Sequence, residues 1–104
     1  MENENKKEEV QEVIKNVVRV ENIRGNSGRE IPNQFIIYGQ GWTLFQSYRS
    51  PIAMVYYGVT YIFKDYDYSR TTGKYRNDFL NEGLAETRAK LKSGEYIAVD
   101  FEVQ

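Results

Sequence analysis

Histidine and cysteine are both absent from these 104 residues. Those absences exclude Cys-His and Ser-His-Asp hydrolase chemistry, thiolate zinc sites and His-ligated metal nucleases, each of which needs a ring nitrogen or a thiolate. Acid–base or nucleophilic work would fall to Asp, Glu, Lys, Tyr, Ser and Thr, and no motif arranges these into a catalytic array. The expectation is a protein that is not an enzyme and uses no cofactor. Long apolar runs are also missing: none approaches the ~20 residues that span a bilayer, and the N-terminus is acidic rather than a signal peptide. That pattern reads as an intracellular protein with no membrane contact, and a cysteine-free chain fits that compartment.

What is present suffices for one domain. Apolar residues make up 40%, including five Phe, nine Tyr and one Trp, enough to supply one hydrophobic core. The net charge of −1 conceals an asymmetry. Residues 1–15 carry five Glu against three Lys, whereas residues 69–92 carry six Lys/Arg against three acids. A local positive excess suits an anionic partner but falls short of the basic stripe of a nucleic-acid binder.

Periodicity outlines an α+β fold. Val10, Val13, Ile14 and Val17 follow the i, i+3, i+4, i+7 stripe of an amphipathic helix, so residues 1–16 read as a charged extension, helical or frayed. The domain proper is assigned to 17–104. The β-branched run from Val17 to Val20 reads as a strand with Ile23 near its end, and Arg24 to Asn33 as a loop. Strands follow at Gln34–Tyr38, Trp42–Tyr48, Ile52–Tyr57 and Val59–Phe63, with turns at Gly39–Gly41 and Gly58. In Trp42–Tyr48 the residues Trp42, Leu44, Gln46 and Tyr48 share one face, against Thr43, Phe45 and Ser47. Ser50-Pro51 breaks the chain, with a helix start there as the competing reading.

Ser69 or Thr71 caps a helix running to about Asn81, whose inward face is Tyr75, Phe79 and Leu80. A second helix, Leu84–Lys92, buries Leu84, Leu91 and the alanines between them, and stops at Gly94. Tyr96 to Val103 alternates as a half-buried strand. The architecture expected is an antiparallel sheet of about four to five strands with two short helices of the C-terminal half packed on it.

Two sets of residues are candidates for contact. Arg70, Lys74 and Arg76 cluster at a helix start, where free N–H groups and the hydroxyls of Ser69, Thr71 and Thr72 favour an anionic partner, nucleic acid included. Their bland alternative is a solvated helix face, with Lys74 paired to Asp78 and with Tyr66, Tyr68 and Tyr75 packed on the sheet. Trp42, Tyr48, Tyr56 and Tyr57 belong, with Tyr38 and Tyr61, to an aromatic set larger than a small core must bury, and Trp and Tyr are favoured anchors in protein interfaces. Few cations accompany them on the strands, so a protein partner or self-association is favoured over a base-stacking platform. Asp65 and Asp67, two apart, could hold a cation. No third oxygen ligand accompanies them, so no metal site is assigned.

Phe45-Gln46-Ser47-Tyr48, Ile52-Ala53, Asp67-Tyr68-Ser69-Arg70-Thr71-Thr72-Gly73-Lys74-Tyr75, Phe79-Leu80 and Lys92-Ser93-Gly94-Glu95-Tyr96 together carry a resemblance. Over roughly residues 33–100 the chain resembles uncharacterised small domains encoded by phages and other mobile elements, mostly of Gram-positive bacteria. Where that family tends to have Trp before Asp-Tyr-Ser, this chain has Tyr66. The resemblance implies a viral or mobile-element origin, a place inside the host cell and no enzymatic activity. It supplies no function.

Overall fold

The computed structural model describes residues 17–99. In chain order the elements are β1 (Val17–Arg24), β2 (Glu30–Gly39), β3 (Trp42–Ser47), β4 (Ser50–Tyr56), β5 (Val59–Phe63), α1 (Arg70–Leu80), α2 (Leu84–Ser93) and β6 (Ile97–Val99). The strands form one sheet in sequence order, antiparallel from β1 to β5, with β6 parallel to β5. Parallel neighbours need a crossover rather than a hairpin, and α1 and α2 are that crossover.

Hairpin geometry follows from the turn residues. Between β4 and β5 the consecutive positive φ of Tyr57 (46°) and Gly58 (81°) give the twist that antiparallel strands favour. The neighbouring β2–β3 turn is tied to it, because the Tyr57 N–H donates to the Gly41 carbonyl at 2.9 Å. The Tyr57 ring lies where a Cβ on Gly41 would sit.

Both helices cover the same face of the sheet. Phe45, Ile52 and Tyr75 form one buried cluster, and Ala53, Ile62 and Tyr96 a second, with Phe79 and Tyr66 packed against both. Phe45 and Ile52 are fully enclosed, and each such burial stabilises by about 1.5–3 kcal/mol. A β-bulge makes this possible. Phe45 pairs with Ala53 while Gln46 pairs with Pro51, so Ile52 is the extra residue and both Ile52 and Ala53 are fully buried. Pro51, which has no N–H to give, sits at that irregularity.

The α1 start is capped as its sequence suggests. Ser69 is extended, and its Oγ accepts from the Thr72 N–H at 3.1 Å. Thr72 Oγ1 in turn is hydrogen-bonded to Ser47 Oγ at 2.8 Å, which ties the helix start to β3 in the buried interior. Asn81 ends the helix in the left-handed region, φ 56° and ψ 47°.

Several expectations are corrected. The sheet has six strands rather than four or five. Residues 30–33 are strand, not loop: Arg24 pairs with Glu30, Ile31 packs against the core, and only residues 25–29 turn. Pro32 is tolerated because the β2–β3 pairing begins only at Gln34. Ser50 and Pro51 lie inside β4. In α2 the buried residue is Thr87, whereas Ala85 and Ala89 are exposed. Just ahead of β6, Tyr96 packs with the helices and is buried, while Ile97, the first residue of the strand, is 43% exposed. The helix expected over 10–17 falls outside the described residues except for Val17, which is in β1, and so does the strand beyond Val99.

Candidate functional site

The second face of the sheet is the candidate site. A strand that is half solvated should alternate apolar and polar side chains. Register instead aligns Val20, Ile37, Leu44, Met54, Tyr61 and Ile97 in one row across all six strands. Every residue of that row is apolar or aromatic, and the row lies opposite the helix-covered row of Ile36, Phe45, Ala53 and Ile62. The face is concave: a groove of about 530 Å³ opens over it, with Trp42, Leu44, Met54, Tyr56, Tyr61 and Ile97 among its walls. No helix among the described residues packs there.

Trp42 and Tyr56 are direct partners in the β3–β4 register and form one end of the groove. The Trp42 indole lies flat over Gly39, so close that a Cβ there would stand 1.9 Å from the ring. Tyr57 follows in the adjoining turn, edge-on to Tyr56 with ring centroids 4.7 Å apart, an arrangement that aromatic quadrupoles favour. Three of the four aromatic candidates are therefore brought together. Tyr48 is not with them. It occupies the β3–β4 turn at the opposite end of the sheet, with φ 56°, beside a smaller recess of about 420 Å³ shared with Asn33, Arg49, Ser50 and Tyr68.

Sequence reasoning included Tyr61 in the aromatic set but missed Leu44, Met54 and Ile97 as parts of this surface. The available signal was that β4 and β5 are apolar on both faces, which one-sided strands do not need.

The basic candidates lie on α1, which packs on the other face. Arg70 and Lys74 are exposed, and the Lys74 ammonium rests 5.4 Å from the Tyr75 ring centroid. Arg76 is separated from them. Its side chain is enclosed, 1% exposed as a residue, and donates to the Tyr66 carbonyl at 2.6 Å and to Asn77 Oδ1 at 2.8 Å. Asp67 stands 3.5 Å from it and also binds Arg88 at 3.0 Å. The Asp67 carboxylate is thus flanked by guanidinium groups rather than placed for a cation. Thr72, Tyr75, Arg76 and Phe79 repeat at i, i+3, i+4, i+7, the stripe that marks Arg76 as inward.

One buried polar network lies between the helices and β6. Glu82, whose side chain is 2% exposed, accepts from Thr87 Oγ1 at 2.6 Å, Lys90 Nζ at 2.7 Å and Tyr96 Oη at 2.7 Å. Burial alone would raise the Glu82 carboxyl, but hydrogen bonds from Lys90, Thr87 and Tyr96 and the Lys90 charge outweigh it and leave it below the ordinary range. The hydrogen bond to Glu82 raises Lys90. Burial, reinforced by Glu82, raises the Tyr96 phenol. The network joins the start of α2 to its last turn and to β6, and it opens onto no groove wall named above.

No helix among the described residues is long and apolar enough to cross a membrane. In comparison with known proteins, the model of a family of unknown function, DUF8033, matches residues 5–97. That span reaches further towards the N-terminus than the stretch carrying the phage-domain resemblance. No curated protein and no solved structure matches the chain.

Proposed function

The chain belongs to DUF8033, a family of unknown function, and we propose that it is a non-enzymatic module that binds another protein through the apolar face of its sheet. The observation that carries this reading is the six-strand row from Val20 to Ile97 and the groove above it. Apolar area of that extent, with aromatics at its rim, matches the composition of protein interface cores. In the setting implied by its resemblance to phage and mobile-element domains, the partner is a host or viral protein met in the host cytoplasm. The chain then acts as an inhibitor of host defence or as a regulator.

A nucleic-acid reading draws on less. It is left with Arg70 and Lys74, since Arg76 is engaged inside the fold, and the groove walls named above include no cation to accompany a stacked base.

The test compares capture of partners from host and infected lysates by the parent chain and by Met54→Asp. Met54 lies mid-groove and half-buried, so a charge there should remove any partner held by this face, a loss of at least tenfold. Circular dichroism melting shows whether the fold persists. A partner retained at full strength by a folded Met54→Asp variant overturns the reading.

A further inference from the structure

β1 forms one margin of the sheet. Among the described residues it pairs with β2 on one side and with no strand on the other. The outward N–H and C=O groups of such a strand are a template for another strand. We infer that this edge is where the chain meets a second copy of itself, two β1 strands pairing antiparallel about a two-fold axis through Val20.

The residues of β1 carry the argument. Edge strands are commonly blunted with Lys or Pro, and β1 contains neither. Instead Val18 is 70% and Val20 56% exposed. Residues 19–22 pair in unbroken register with 35–38, between the irregularities at either end of the strand. Arg19 and Glu21 share a face of that regular stretch and carry opposite charges. Tyr38 holds both: the Arg19 guanidinium lies 4.2 Å from its ring centroid, and its Oη donates to Glu21 Oε1 at 2.9 Å. Arg19 Nε stands 3.5 Å from Glu21 Oε2, and both side chains remain about half open to solvent. Side chains preset in this way lose less freedom when a second strand arrives.

Charge then selects the register. A two-fold axis normal to the sheet must pass through a residue, because centring it between two would pair side chains of opposite faces. With the axis on Val20, Arg19 of each copy lies opposite Glu21 of the other, and the two valines meet at the centre. With the axis on Arg19 or on Glu21, two arginines or two glutamates are opposed instead. Opposite charges stabilise a facing pair and like charges destabilise it, so the Val20 register wins over its neighbours. The contact is isologous and closes on itself, which ends assembly at the dimer. At the other margin, Ile97–Val99 of β6 offers no charge to set a register.

The test is charge reversal, read by sedimentation velocity of the full chain over a range of concentrations. The parent should pass from monomer to dimer as concentration rises. Arg19→Glu and Glu21→Arg should each weaken association at least about tenfold, since one sets acid against acid and the other base against base. Mixed in equal amounts, the two variants should pair with each other as well as the parent pairs with itself. Damage within one chain cannot produce that rescue, and circular dichroism shows whether each variant is folded. Cross-linking is an independent measure that needs no charge variant, because the chain has no cysteine of its own. Facing residues of antiparallel strands lie about 4.5–5.5 Å apart at Cα, within disulfide reach. Val20→Cys should therefore give a disulfide-linked dimer under mild oxidation several-fold faster than Ile97→Cys, an exposed residue of the opposite margin.

A parent chain that stays monomeric overturns the inference, as does a mixture that associates no better than either variant alone. Equal cross-linking rates at Val20 and Ile97 also overturn it. The edge is separate from the apolar groove, so Met54→Asp should dimerise like the parent. Dimerisation lost in that variant gives self-association to the apolar face and removes the edge contact. An intact dimer in Met54→Asp with partner capture lost supports both the edge contact and the docking face, whereas an intact dimer with capture unchanged supports the edge and removes the face.

Discussion

Glu82 shows how a single side chain can make stability depend on pH. Its carboxyl is enclosed and accepts three hydrogen bonds, and its folded value lies below the unfolded one. Between the two values the unfolded chain binds more protons, so stability rises with pH across that window. Its contribution is fully present above the ordinary carboxylate value of about 4.3 and disappears as pH falls through the lower folded value. Glu82→Gln should cost about 1–3 kcal/mol near neutral pH, the usual loss for bonds to a charged acceptor. It should also flatten the fall in melting temperature below about pH 4.5, which thermal unfolding across pH would measure. A variant whose acid profile superimposes on the parent's places the acid sensitivity elsewhere. Gln34 makes the opposite case: it is fully buried, yet its amide nitrogen and oxygen have no hydrogen-bond partner among the described residues. Neither residue could be ranked from sequence, because a polar side chain's burial depends on what folds over it.

Among the elements, α1 depends on local chemistry and tertiary contact together. Ser69 Oγ accepts from the Thr72 N–H and donates to Thr72 Oγ1, which meets Ser47 on β3. Ser69→Ala should therefore cost about 1 kcal/mol from the lost cap, and Thr72→Val a comparable amount from the unpaired Ser47 hydroxyl. A double variant measured by denaturant unfolding should lose less than the sum, since both changes break one network. Additive losses would mean that cap and sheet contact act independently. Elements governed by local signals were legible in sequence: a cap at Ser69 or Thr71, of which the helix uses Ser69, the stop at Asn81, the turn at Gly58 and the two faces of β3. Elements governed by distant partners were not. Residues 30–33 hold turn-like Pro and Asn but are drawn into β2 by pairing with β1. The bulge at Ile52 exists because Phe45 and Tyr75 bury a second side chain there. The short β6 lies parallel to β5, and no local pattern encodes which strand it joins.

At the scale of the whole molecule the two candidate contact surfaces lie on opposite sides of one sheet. Trp42, Tyr56 and the six-strand row occupy one face, while α1 and α2, with exposed Arg70 and Lys74, cover the other. That separation was visible only in part beforehand: alternation split β3 into faces, but not which face the helices would take. It makes the protein and nucleic-acid readings experimentally independent. Arg70→Ala with Lys74→Ala removes two cations from the helix side and leaves the groove intact, whereas Met54→Asp does the reverse. Contacts with phosphate fall steeply with salt, with a slope of about 0.9 per neutralised phosphate on duplex DNA. A docked apolar face is far less sensitive. If the chain works through its sheet, partner capture should persist from low to high salt, be lost in Met54→Asp and be unchanged in the double alanine variant. Should binding to DNA or RNA be found, its salt slope should shrink by about two in the double variant and be unaffected by the loss of Met54. Capture that weakens with salt and depends on Arg70 and Lys74 would assign the function to the helices rather than to the apolar face.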